Sequence, residues 1–184
     1  MQVESKSSST ERPRNGATAK TTPPTIPTTV DGLLALDTDA LAALYAGASV
    51  PVLDRIHGDL RGRMLAWPGA TGVFKSAIHA LGSWNGFPWR GKSFTPRTSQ
   101  TGDGINRVVS DRWKLFQFTT FVGLSRAGDF HAVQLDYDHP SNPFFIRAIK
   151  DEIRELSPGL YLGQAYLQLG NSERLVLYFG LQQR

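Results

Sequence analysis

The second half of this chain leaves little room for a helical fold. Residues 112–122 and 130–137 crowd aromatic and β-branched side chains into short runs, which suit a pleated, half-buried surface. Two further runs, 160–169 and 174–182, are joined through Gly170, Asn171 and Ser172 and read as a hairpin. Upstream, Gly58-Asp59-Leu60-Arg61-Gly62-Arg63-Met64-Leu65 reads as a turn entering a strand that Pro68 and Gly69 end, and another strand follows the aromatic, glycine-rich run at 82–94. About six or seven strands, mostly sequential, favour antiparallel pairing. Closing the sheet into a barrel removes its edges and leaves an interior. The competing arrangement is an open, strongly curved sheet.

The helical signals are shorter. Asp37 or Thr38 can cap a helix over 39–45 that Gly47 stops, and Pro51 sits where proline prefers to open another, over 51–57. A third is predicted at 71–81, where Val73, Phe74, Ala77, Ile78 and Leu81 share a face. A fourth is predicted from Pro143, capped by Asn142, with Phe145, Ile146, Ile149, Ile153 and Leu156 on one stripe before Pro158-Gly159. Residues 1–30 are Ser, Thr, Pro, Lys and Arg with few aliphatic side chains. They cannot bury enough apolar area to offset the entropy of ordering, and a flexible tail is expected. The predicted fold class is α+β. One domain over 31–184 forms an antiparallel β-barrel or strongly curved sheet, with short N-terminal helices and one helix before the C-terminal hairpin.

At 184 residues and 40% hydrophobic, the chain can bury one sizeable core. It has no cysteine, which excludes disulfides, zinc–thiolate sites, iron–sulfur clusters and thiol nucleophiles, and fits a cytoplasmic setting. No run approaches the roughly 18 apolar residues of a membrane span, so no transmembrane segment is expected. The N-terminus lacks the apolar stretch of a secretory signal. Residues 51–130 hold eleven Lys and Arg against five Asp. Such a bias can serve an anionic ligand or surface, or be an ordinary solvated face.

Asp136 is the sharpest candidate for chemistry. If it and Gln134 look into the barrel, desolvation raises its pKa and suits it for general acid/base work; otherwise it faces outward beside a surface arginine. Tyr166 and His131 complete the predicted catalytic set. His131, Asp136, Asp138 and His139 match no established metal-ligand spacing, and no metal or cofactor is expected. Trp89, Phe116, Phe118 and Tyr178 offer apolar bodies for a pocket, the tyrosine with one polar handle. Trp84 and Trp113, with Phe87 and Phe94, add to the aromatic density near the presumed mouth. Arg90 and Lys92 flank Gly91 on a strand and so share a face. With Arg61 and Arg63 they can form a basic patch for a carboxylate or phosphate headgroup. Basic residues among tryptophans also suit single-stranded nucleic acid, but no RNP-like or zinc-knuckle pattern accompanies them, and nucleic acid is not an expected partner. No dinucleotide, P-loop or G-x-S-x-G fingerprint is present.

Three stretches carry a family resemblance: the opening Gly58-Asp59-Leu60-Arg61-Gly62-Arg63, the strand Trp89-Arg90-Gly91-Lys92-Ser93-Phe94, and an ending with Tyr137-Asp138, Leu162-Gly163 and Tyr178-Phe179-Gly180-Leu181. Their order resembles the small bacterial GXWXG-type proteins. The chain's own Gly82-Ser83-Trp84-Asn85-Gly86 stands closer to the W-x-G-K strand than that pattern has it. More broadly the chain looks like the calycin group of barrels, which includes lipocalins and fatty-acid-binding proteins. That likeness implies a cavity for an apolar ligand. The leading expectation is thus a carrier-like barrel for a small apolar or amphipathic molecule, its cavity lined by Phe116, Phe118, Val133, Leu135, Tyr166 and Tyr178. A second is an isomerase, cyclase or hydratase acting on a polyketide- or terpenoid-like compound in that cavity. A third is an interaction module that engages an acidic protein or membrane surface through salt-sensitive contacts.

Overall fold

The computed structural model describes residues 26–68, 89–108 and 113–183. Eight strands close a barrel in sequence order: β1 Gly58–Ala66, β2 Trp89–Pro96, β3 Thr101–Val108, β4 Lys114–Leu124, β5 His131–Asp136, β6 Ile149–Ser157, β7 Leu160–Leu169 and β8 Ser172–Gln182. Each strand runs antiparallel to the next, and β8 pairs back onto β1. Among the described residues, the closed ring leaves no strand at a sheet edge. Eight strands enclose an interior that side chains can fill or that can hold one small ligand.

The terminal hairpin forms as the turn residues indicate. Leu169 pairs with Ser172 across a two-residue turn, and Gly170 takes a φ of 61° there, a conformation glycine adopts without steric cost. Asp37 caps helix α1 (Thr38–Gly47) by accepting a 2.8 Å bond from the Ala40 N–H. The apolar face of α1, Leu41, Leu44 and Tyr45, packs with Leu160, Leu162 and Tyr178 in a second core outside the barrel wall. The packed chain has begun by Val30, which is buried and donates its N–H to Gln182 Oε1 at 3.1 Å. Within 51–57 only a 3₁₀ turn forms, Leu53–Arg55. Leu53 and Ile56 enter the interior core with Leu60, Tyr161 and Leu181 and plug the end of the barrel where β1 begins.

The helix predicted from Pro143 is corrected. It is a single turn, α2 Phe144–Arg147, and Ile149 opens strand β6. The apolar spacing here has two readings, since Ile149, Asp151 and Ile153 also recur at period two. Pairing with β5 and β7 supplies every second backbone bond, and both faces are covered: Asp151, Glu152, Ile153 and Arg154 are all buried. A strand buried on both sides loses the alternation that would mark it in sequence. The predicted helix at 71–81, the run at 82–88, Arg112 and residues 1–25 lie outside the described residues.

Four register shifts gather at the end opposite the plug: Met64/Ala66 in β1, Trp89/Gly91 in β2, Ile105/Asn106 between β3 and β4, and Ala165/Tyr166 between β7 and β8. Bulges bend a strand and re-aim its side chains, and they concentrate at barrel rims. At one of them Phe116 takes a φ of 62°, a strained conformation for a residue with a side chain. Gly91 is required at another. Its φ is 128°, and a Cβ there would collide with the Leu60 carbonyl oxygen. Gly91→Ala is therefore expected to destabilise the fold by about 2–4 kcal/mol, read as a lowered urea midpoint.

Candidate functional site

The bulge at Arg90 inserts one residue into β2, and one residue flips the facing of a strand. Trp89 and Lys92, three apart in sequence, consequently both turn inward. Lys92 is 3% exposed. Its ammonium donates to Asp151 Oδ2 and Asn106 Oδ1, each at 2.9 Å, and to the Tyr137 hydroxyl. Tyr137 Oη accepts from Asn106 Nδ2 and donates to Asp151 Oδ2, both at 3.0 Å. Trp89 Nε1 adds a 3.0 Å bond to Asn106 Oδ1. β2 supplies Trp89 and Lys92, β3 Asn106 and β6 Asp151, and Tyr137 follows directly on β5. Asp151 Oδ1 has no hydrogen-bond partner among the described residues.

Four rings surround the Lys92 nitrogen, with centroids at 5.1 Å for Phe179, 5.2 Å for Tyr137, 5.3 Å for Phe118 and 5.6 Å for Trp89. Their faces attract a cation. Burial nonetheless pulls the Lys92 pKa below the usual lysine value, and the neighbouring Asp151 carboxylate only partly opposes this. Burial pushes Tyr137 well above the ordinary tyrosine range, and the Asp151 charge adds to the effect. The phenol thus keeps its proton and directs it at Asp151.

Above this cluster lies a cavity of about 330 Å³. Its walls are apolar, formed by Met64, Val108, Phe116, Ile149, Leu177 and neighbouring side chains, and Ile146 of α2 joins them. The cavity lies among the bulged ends of the strands. An apolar cavity with a few convergent polar groups is the ordinary form of a small-molecule site, and this one lies toward the small end of the roughly 300–1,000 Å³ range.

Of the residues predicted to bind a ligand, Trp89 and Phe116 line the cavity and Lys92 stands at its base. Phe118 is in the interior core beside Lys92, as are Val133 and Leu135. The others lie elsewhere. Asp136 alternates with the inward Leu135 and Tyr137 and faces outward, where Lys150 Nζ donates to it at 2.5 Å. Partial burial alone would raise its pKa, but the bonds from Lys150 and the Asp138 N–H outweigh that and leave the carboxyl below its ordinary value. This reverses the shift expected of an interior acid/base group. His131 is exposed at the start of β5, with its carbonyl accepting from Arg154. Tyr166 donates to Gln164 Oε1 at 2.7 Å and lies under the Arg126 guanidinium on the outer wall. Gln134 donates to Glu152 on the outer wall, and Tyr178 belongs to the core under α1.

The predicted basic patch is also corrected. Arg61 and Arg63 bind Asp31 outside the barrel, at 2.7 and 2.8 Å, and Arg90 is half-buried at the bulge, while Lys92 is inside. Asp138 pairs with Arg147 and His139 bonds Ser141. Among the described residues no three His, Asp or Glu side chains assemble into a metal-binding group.

Asn106, Tyr137 and Asp151 escaped the sequence reading as site residues. A signal existed for Asp151: a carboxylate between Ile149 and Ile153 at period two is a charge on an apolar face. Compared with known proteins, the chain matches no family model, no curated protein and no solved structure.

Proposed function

We propose that the protein binds one small, mainly apolar molecule inside the barrel, with a single polar group of that molecule set against Lys92, Asn106, Tyr137 and Asp151. The observation that carries this reading is the buried polar cluster at the base of an otherwise apolar cavity of about 330 Å³. A buried ion pair is a poor way to stabilise a core, since apolar side chains of similar volume commonly do as well or better. At the floor of a cavity it supplies orientation and selectivity. Lys92 and Asp151 together are neutral, so the cluster suits a neutral polar group such as a carbonyl or hydroxyl better than a full charge. The calycin likeness of the sequence agrees with a ligand-holding barrel.

The Tyr137–Asp151 bond favours a second reading, turnover of the same molecule. A protonated phenol beside a carboxylate is an acid and a base within reach of one another.

Ala165 lines the cavity, and Ala165→Trp places an indole where the ligand would sit. Binding of the neutral fluorescent probe N-phenyl-1-naphthylamine is expected to weaken at least tenfold in this variant, with the circular-dichroism spectrum unchanged. Equal binding by both proteins would put the probe outside the barrel and count against the proposal.

A further inference from the structure

We infer that Lys92 is a carbonyl-reacting lysine, and that the molecule held in the cavity carries an aldehyde or ketone which condenses with the Lys92 amine to form an imine. This rests on the ligand-binding reading above and names the ligand class.

Three observations lead here. Among the described residues Lys92 is the one lysine inside the barrel; Lys114 and Lys150 are paired with Asp59 and Asp136 on the outside. Its nitrogen sits at the base of an apolar cavity, where the environment favours a neutral amine more than water does. Its neighbours supply the remaining parts of a condensation, a carboxylate at 2.9 Å and a protonated phenol. Every proton of the ammonium is already committed to Asp151, Asn106 or Tyr137, so a ligand oxygen would have to displace one of them. For condensation the same bonds are the proton routes.

The step balances within these groups. Asp151 accepts one proton from the Lys92 ammonium. The freed nitrogen lone pair forms a C–N bond to the carbonyl carbon, and the carbonyl π electrons move to oxygen. That oxygen takes the Tyr137 proton, and the phenolate regains one from the nitrogen, which leaves a neutral carbinolamine. Asp151 then returns its proton to the carbinolamine hydroxyl. The C–O bond breaks, water leaves, and the nitrogen lone pair closes the C=N bond. An ammonium and a carbonyl have become a protonated imine and water, with no oxidant or reductant. The iminium keeps the positive charge that Asp151 and the four rings already face. The downward pull of burial on the Lys92 pKa lowers the cost of the first proton transfer.

The test incubates the full chain with trans-cinnamaldehyde and sodium cyanoborohydride, which reduces an imine to a stable amine, and maps adducts over the six lysines by peptide mass spectrometry. Lys92 is expected to label at least tenfold faster than Lys114 or Lys150. Cinnamyl alcohol, of similar size but without the carbonyl, is expected to bind by calorimetry and to protect Lys92. Asp151→Asn is expected to slow Lys92 labelling at least tenfold, and by more than it weakens alcohol binding measured on the same variant. The wild-type protection experiment stands even where that variant does not fold. Labelling of Lys92 no faster than Lys114, in a protein that still binds the alcohol, would overturn the imine and leave the ligand-binding reading in place. No labelling preference together with no alcohol binding would overturn both.

Discussion

Lys92→Met is expected to destabilise the barrel by about 3–5 kcal/mol, Asp151→Leu by a similar amount, and the double substitution by much less than either. The asymmetry follows from what each change leaves behind. Without Lys92, the Asp151 carboxylate remains buried with only the Tyr137 hydroxyl to answer it. Without Asp151, an ammonium is left among four aromatic rings with neutral partners only. Removing both takes both desolvation penalties away. Asn106 and Tyr137 keep their own bond at 3.0 Å, and a methionine sulfur makes favourable contacts with the aromatic rings that surrounded the ammonium. Urea unfolding of the four proteins gives the coupling energy as a double-mutant cycle. Losses that simply add would show that the two groups do not depend on one another. The double variant is also expected to lose discrimination between cinnamyl alcohol and a hydrocarbon of its size, since the polar floor of the cavity is gone.

The second large effect belongs to the outer wall. Glu152 is 0% exposed, on the face of β6 opposite Asp151. Its carboxylate accepts from Tyr45 Oη at 2.9 Å, Ser125 Oγ at 2.6 Å, the Arg126 N–H at 3.0 Å and Gln134 Nε2 at 3.2 Å. Tyr45 comes from α1, so this one carboxylate ties the helix to the β4–β5 turn and to the barrel. Glu152→Leu strands those donors and is expected to destabilise the protein by about 3–5 kcal/mol. Hydrogen exchange is expected to rise most over residues 38–47, because α1 loses a tether. Tyr45→Phe removes one bond and leaves the other donors satisfied, so it is expected to cost only about 1 kcal/mol. Exchange rising uniformly over the barrel would show that Glu152 supports the sheet rather than the helix. Probe affinity per folded molecule is expected to stay unchanged, since Glu152 does not line the cavity.

Local rules carried some elements through to the structure and failed at others for identifiable reasons. The Asp37-or-Thr38 cap, the strand near Gly58 and the terminal hairpin rest on neighbours in sequence, and all three form: Asp37 is the cap, β1 starts at Gly58 itself, and the hairpin turn is one residue shorter than read, since Ser172 already pairs with Leu169. The helix predicted across β6 does not form. Ile146, Ile149 and Ile153 satisfy helical spacing, and only pairing with β5 and β7 decides between the two periods. The site was harder still. Tyr137 lies 45 residues from Lys92, and Asp151 a further 14 beyond Tyr137. Closure of the barrel brings them together, and no local window contains them. The bulge at Arg90 decides that Lys92 faces inward, and Gly91 with its positive φ is its one trace in the sequence. Asp136 suits acid/base work only if it looks into the barrel, yet its register pairs it with Lys150 on the outer face.

Native mass spectrometry of the full chain with cinnamyl alcohol asks whether the barrel holds a molecule inside it. One bound molecule per chain is expected at saturation, and none in Ala165→Trp. An unliganded wild-type chain at the same concentrations, or equal uptake by the Ala165→Trp variant, would contradict a binding site within the barrel.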